Sequence, residues 1–342
     1  MKKLHLIIGK LYKIKYLTKF KPIFNVVDSI FVGVKDTTDS APHVVDNLDT
    51  KRYMTAVIVA LMPATLASIY FFGWKALAII FVSYAAGGLA EVTFAIIRKK
   101  EIHEGFLVTG LIFALVLPPT TPLWVVAVGV IFGTVFGKEM FGGTGRNIFN
   151  PALVGRLFIT LAFPSIMTTS WLKPFTDAVT SATPLTTFKS MQVVTPFSNL
   201  LLGDCTGSMG EIFRLGIIVG GLFLILTKVS NWRIPVSYLG SVFILSWLGN
   251  TFLGVKVAPP LFQLFAGGLL FGAMYMATDP VSSPFTKSGK WIFGIGCGIF
   301  TFLIRNFSGY VEGVMFSILL MNAFSPLIDH LVIELKYKPV KK

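Results

Sequence analysis

From Met54 onward the chain is a succession of apolar runs separated by short polar or glycine- and proline-rich breaks. Runs near 54–73, 76–97, 105–117, 122–137 and 148–163 precede a polar stretch, 164–210, and runs near 211–229, 234–254, 260–277, 290–304 and 311–331 follow it. They are too long and too continuously apolar for the alternating pattern of half-buried strands. The pattern predicts an all-α polytopic membrane protein of about ten transmembrane helices. Its predicted parts are an amphipathic amino-terminal arm (1–53), a five-helix repeat (54–163), a connecting loop (164–210), a second five-helix repeat (211–331) and a basic tail (332–342).

Several runs are shorter than the roughly 20 residues that cross a bilayer core. Gly105–Leu117 stops at Pro118-Pro119, and Leu261–Ala277 stops just before Asp279-Pro280. Short, proline-interrupted segments at corresponding places in two halves predict broken helices that meet near the midplane. Their unpaired backbone must line a protein-enclosed cavity, because lipid offers it no partner. A faint internal repeat relates GLIFALVLPPTTP and GGTGRNIFNPAL to GGLLFGAMYMATDPVSSP and SGYVEGVMFSILLMNAFSP. An odd number of spans per half makes the second repeat inverted relative to the first.

Composition agrees with a chain dissolved mostly in lipid: 54% hydrophobic, 13% charged, with 32 Phe and 32 Gly among 342 residues and a mean hydropathy of +0.74. A soluble fold of this size carries about a quarter charged residues. The net charge of +14 is therefore not read as nucleic-acid binding. Counted by loop, 23 of the 30 Lys and Arg fall on the side of the amino terminus and five on the other. That asymmetry predicts both termini in the cytoplasm, facing acidic lipids, and 164–210 outside. The amino-terminal MKKLHLIIGKLYKIKYLTKFK has apolar stretches too broken for a signal-peptide core, which predicts an arm lying on the membrane surface. Cys205 and Cys297 are too few for an iron–sulfur or zinc site, so redox chemistry in this chain needs an organic cofactor.

Within the outer loop stands Asp177-Ala178-Val179-Thr180-Ser181-Ala182-Thr183-Pro184-Leu185. By composition alone it is a hydroxyl-rich extended loop ending in a proline turn. A Thr hydroxyl is a poor nucleophile unless activated, and nothing adjacent activates it.

The stretch resembles the flavinylation motif Asp-x-x-Ser/Thr-Gly/Ser-Ala-Thr, in which a flavin transferase joins FMN by a phosphoester to the last Thr. On that resemblance Thr183 is the acceptor, Asp177 the acid, Thr180 the hydroxyl position, Ser181 a replacement for the commoner Gly, and Ala182 the small residue. APHVVDNLDTKRYM, EGFLVTGLIFALVLPPTTPLW, KEMFGGTGRNIFNPALVGRLF, MATDPVSSPFTKSGKW and GYVEGVMFSILLMNAFSPLIDH are similar, in order over about residues 40–335, to the family of RnfD and NqrB. These are membrane subunits of the Rnf complex and of sodium-pumping NADH:quinone oxidoreductase. The resemblance implies a urea-channel-like fold in the bacterial inner membrane, covalent FMN on Thr183 and a noncovalent riboflavin. It implies other members of the complex as partners, among them an FMN-bearing G- or C-type subunit that passes electrons to Thr183 from outside. It also implies coupling to Na⁺ or H⁺. FGGTGRN, TDPVSS and HVVDNLDTKR look more like NqrB, while GYVEGVMFSILLMN and DAVTSATPL look more like RnfD. The compact chain tips the reading toward RnfD, as part of a ferredoxin:NAD⁺ oxidoreductase. The fold also leaves open a channel for a small neutral solute, against which the flavinylation motif argues.

Other residues carry narrower expectations. Gly143, Arg146 and Asn147, in a glycine-rich entry to the fifth span, read either as a tight turn or as a contact to an anionic or flavin ligand. Asn150-Pro151 reads as a structural break. Asp279 at a helix break and Glu91 within the second span are candidates for a Na⁺ path. Glu91 pairing with a cation or snorkelling, and Asp279 capping a helix, are the structural readings. Arg305 and Glu312 are expected to pair with each other or with another subunit, and His43, His103 and His330 to be ordinary interfacial residues.

Overall fold

The computed structural model describes residues 50–99, 105–176, 182–254 and 257–337. The amino-terminal arm, His43, His103, Asp177, Thr180 and Ser181, and the last five residues of the basic tail lie outside the described residues. Regular structure is helical, and every predicted run falls on a helix. The first half contains α1 (Thr50–Phe72), α2 (Trp74–Arg98), α3 (Gly105–Leu115), α4 (Leu123–Gly137) and α5 (Pro151–Ala162). The connecting stretch is not an extended loop: it forms α6 (Pro164–Thr169), α7 (Pro184–Met191) and α8 (Phe197–Leu202). The second half contains α9 (Arg214–Leu226), α10 (Arg233–Leu253), α11 (Pro260–Phe265) and α12 (Leu269–Phe271), which runs on as a π-helical turn over Gly272–Met276. It ends with α13 (Lys287–Phe307) and α14 (Val314–Lys336).

Four described helices are long and apolar enough to cross a membrane, Arg52–Phe72, Trp74–Arg98, Leu123–Phe141 and Val314–Lys336. Three shorter apolar helices, α3, α5 and α9, stand beside them. The chain is a polytopic membrane protein.

The short helices end where the sequence removes a backbone donor. Pro118 and Pro119 stop α3, and its freed carbonyls find partners across the molecule: Gly210 N–H donates to Leu115 O at 2.7 Å and Met209 N–H to Leu117 O at 3.1 Å. The stretch before α9 thus completes the broken helix of the first half. In the second half the break falls at Ala266–Gly268, inside the predicted run rather than at its end, where Gly267 takes φ +67°.

In the first half α2 packs on α4 and α4 on α5; in the second α10 packs on α13 and α13 on α14, while α1 lies against α9. Small residues set these contacts, as expected where no hydrophobic force drives helices together in lipid. Gly129, Gly133 and Gly137 form a stripe on α4 facing Pro151 and Gly155 of α5. A Cβ on Gly133 would stand 2.5 Å from Pro151 O, and one on Gly155 2.6 Å from Gly129 O. On the other side Gly294 and Gly298 of α13 face Ser237 and Ser241 of α10. Gly133→Val should therefore force the two backbones apart and destabilise the protein by about 3 kcal/mol. A detergent-solubilised variant whose monodisperse peak survives heating as long as the native protein's would contradict this.

Candidate functional site

The bundle has two ends that carry the candidate residues, separated by the 21-residue length of α13, about 30 Å. At one end lie the GGTG turn and Asp279; at the other lies Thr183.

The GGTG end is built on a turn that only glycine accommodates easily. Gly142, Gly143 and Gly145 adopt φ values of +114°, +99° and +87°. The tight-turn reading accounts for Gly143, whose nearest side-chain neighbour is the Glu139 carboxylate. Arg146 is exposed, and the α5 amino terminus is capped by Asn150, which accepts from Ala152 N–H at 3.1 Å. Asn150 also donates to Met276 O at 3.4 Å, tying the start of α5 to the end of the π-turn. Asn147 is buried and donates to Phe149 O at 3.0 Å.

Asn147 and Asp279, 132 positions apart in sequence, line one cleft between the halves. It holds about 710 Å³ of empty space including its mouth. Val57, Val108 and Ile112 form apolar walls, and Thr109, Thr144 and Lys138 add polar groups. Asp279 Oδ2 accepts from the Ser282 hydroxyl at 2.7 Å and the Ser282 N–H at 3.3 Å, closing a turn rather than capping a helix, since α13 is capped by Thr286. Burial pushes its carboxyl above the usual carboxylate range, and the bonds from Ser282 oppose that shift.

Glu91 does not snorkel. It is 5% exposed and both its oxygens accept from Lys138 Nζ, at 2.7 and 2.8 Å. Lys138, counted in the sequence as a loop cation, is 2% exposed and serves as the internal counter-ion. Arg98 extends the array by donating to Glu139 at 3.0 Å. Glu91 and Asp279 do not converge: Glu91 is outside the cleft lining that contains Asp279, with its partner Lys138 between. Among the described residues no group of three His, Cys, Asp or Glu gathers in metal-binding geometry.

At the other end Thr183 is the N-cap of α7. Its hydroxyl oxygen accepts from Thr186 N–H at 3.3 Å and bonds the Thr186 hydroxyl at 2.8 Å. Thr183 is half-buried and Ala182 exposed. The helix it starts is seated on the second half. Leu185 and Phe188 bury against Phe262 and Ala266, and Lys189 donates to the carbonyls of Ser308 and Tyr310.

Beneath α7 lies a cluster of buried charge that the sequence pattern does not assemble. Arg305 donates to Gln263 O at 2.7 Å, Ala266 O at 3.1 Å and Glu312 Oε1 at 2.9 Å. Arg214, 1% exposed, donates to Phe265 O and Leu200 O, each at 2.6 Å. Glu312 Oε2 accepts from Gly268 N–H at 3.1 Å. Two guanidinium groups thus close the carbonyl end of α11 and a carboxylate closes the amino end of α12. The expected Arg305–Glu312 pair is present, serving the helix break. Arg214, Glu211 and Gln263 were missed; a charge at the margin of a predicted span next to a broken helix was the available signal. Arg305→Lys should lower stability by about 1–3 kcal/mol, since one ammonium cannot reach both carbonyls in the guanidinium's fork. Unchanged thermal stability would show that the fork is dispensable.

The profile of the NQR2, RnfD, RnfE family matches residues 37–338. The chain belongs to that family. The B-type subunit of the Na(+)-translocating NADH-quinone reductase of Yersinia pestis is 34% identical over 94% of this chain and 94% of its own. Its namesake from Ectopseudomonas mendocina (strain ymp) is 35% identical over 94% and 93%. That from Klebsiella pneumoniae (strain 342) is 35% identical over 94% of each. The Yersinia alignment runs over 388 positions against a chain of 342 residues, so this family member is compact relative to that one.

Proposed function

We propose that this chain is the flavin-carrying membrane component of a sodium-translocating NADH:quinone reductase complex, the counterpart of the B-type relatives above. The observation that carries this reading is the similarity to those proteins over 94% of both chains. The RnfD reading rests on compactness, and loop length is a weak discriminator because insertions in loops cost little free energy. A solute channel is disfavoured by the same whole-length relationship.

In this reading Thr183 holds FMN through a phosphoester. The residues present fit that group: Thr183 is only half-buried, its neighbour Ala182 is small and exposed, and the acceptor oxygen lies at the positive end of α7, where it accepts from Thr186 N–H. The flavin, when bound, supplies one- and two-electron redox chemistry that no side chain here can perform. The cleft between the halves suits a second, noncovalent flavin such as riboflavin. Apolar residues of α1 and α3 would hold its ring system, while Asn147, Thr144 and Asp279 would be available to its polar groups. Lys138 stands at the cleft wall with its charge committed to Glu91, so displacing that pair by a cation would release a buried ammonium toward the cleft. That is a physical route by which Na⁺ and a charged cofactor become coupled.

The two halves are read as inverted repeats, supported by the recurring order of helix pairings. The basic asymmetry supports cytoplasmic termini and a Thr183 loop on the outer face of a bacterial inner membrane, toward a partner protein with its own flavin. A denaturing gel of the full complex, made with an active flavin transferase and viewed under ultraviolet light, tests the proposal. A fluorescent band at this chain's mass is expected, and a dark one overturns it.

A further inference from the structure

A second cleft opens beside the first at the GGTG end, with about 960 Å³ of empty space including its mouth. We infer that it binds the phosphate group of an anionic phospholipid. Lys228, Arg233 and Lys290 line it, and among the described residues none of the three has a carboxylate within ion-pair distance. Arg233 and Lys290 share this cleft, and the Asp329 carboxylate also acts on Lys290. The nearby carboxylates are engaged elsewhere: Asp329 accepts from Phe285 N–H at 2.8 Å and Thr286 N–H at 3.0 Å, and Asp279 accepts from Ser282. Three cations against the single charge of an already engaged carboxylate leave the cleft net positive and suited to an anion.

Two further features point to a ligand. Ser230 lines the cleft, is 7% exposed, and its hydroxyl has no hydrogen-bond partner. A buried hydroxyl left unpaired costs about 1–3 kcal/mol, which a phosphate oxygen would relieve once the Ser230 side chain turns toward the cleft. The 21-residue helix α10 begins at this cleft, so its positive end adds to the field, whereas that of α13 is already closed by Thr286 and Asp329.

The surroundings favour a lipid over a soluble phosphate. Trp232 and Trp291 meet edge to face at 5.8 Å, and both are more than a third exposed, as is Phe285. Aromatic side chains in this position mark the level of the headgroups. Basic pockets between membrane helices at that level recognise anionic headgroups.

The full-length protein, stripped of lipid in detergent, is to be titrated with phosphatidylglycerol or phosphatidylcholine of the same acyl chains and followed by native mass spectrometry. Phosphatidylglycerol is expected to stay bound where phosphatidylcholine does not. Arg233→Gln with Lys290→Gln should weaken it about thirtyfold, and the exposed Lys228→Gln about fivefold. Equal retention of the two lipids overturns the inference, as does unchanged affinity in these variants. If the double variant fails to fold, Lys228→Gln alone decides. Displacement of phosphatidylglycerol by inorganic phosphate would assign the site to a soluble phosphate and overturn the lipid assignment.

Discussion

Thr183→Val is expected to abolish covalent flavin in this chain, while Thr183→Ser should retain part of it. Valine matches threonine in shape but has no hydroxyl to bear the phosphoester. Serine keeps the oxygen, both as acceptor and as the atom that caps α7 through Thr186 N–H. Losing the cap costs about 1 kcal/mol locally, too little to unfold a helix held by Leu185 and Phe188 against α11. The two variants therefore separate loss of attachment from loss of fold. In-gel fluorescence with intact-mass measurement reads the outcome. Fluorescence persisting at full strength in the valine variant would move the attachment to another residue.

Lys138→Met should destabilise the protein by about 3–5 kcal/mol, because it strands the Glu91 carboxylate in a setting where both side chains are almost completely shielded. Removing both charges should be much milder. Lys138→Met combined with Glu91→Gln leaves no buried ion, and methionine fills much of the lysine stem's space. The double variant should recover most of the lost stability but not Na⁺-dependent turnover, if the pair lies on the ion route. Thermal unfolding followed by size-exclusion fluorescence gives the cycle. Additive losses would mean that the two residues do not act as a pair.

The helices were legible because apolar runs of helical length leave few alternatives: each predicted run falls on helix, although the first link is Gly73 itself rather than the residues after it. Both broken segments were legible too, from Pro118-Pro119 and from the length of the run ending at Ala277. The true break at Gly267 was not, since a glycine inside an apolar run reads equally well as close packing. At the Thr183 end the motif was local, so sequence alone nominated the acceptor; that α7 starts there, with the Thr183 oxygen as its cap, was not evident from a hydroxyl-rich loop. Glu91 was recognised as costly, but its partner lies 47 positions away in what looked like a solvated turn.

Periodicity, proline placement and the distribution of Lys and Arg are properties of neighbouring residues, and they were enough to determine helices, the break at Pro118-Pro119 and an expected orientation, while the family relationship was read from the resemblance of whole motifs. What the tertiary structure decided is which distant polar groups meet. It joins Asn147 to Asp279 across one cleft, gives Lys138 to Glu91, and sets Arg214 and Arg305 on the carbonyls of α11. In a low-dielectric interior each buried charge or freed carbonyl must find a partner. Which partner it finds depends on how α4, α5, α10 and α13 approach along their small-residue faces, and no window of sequence contains that geometry.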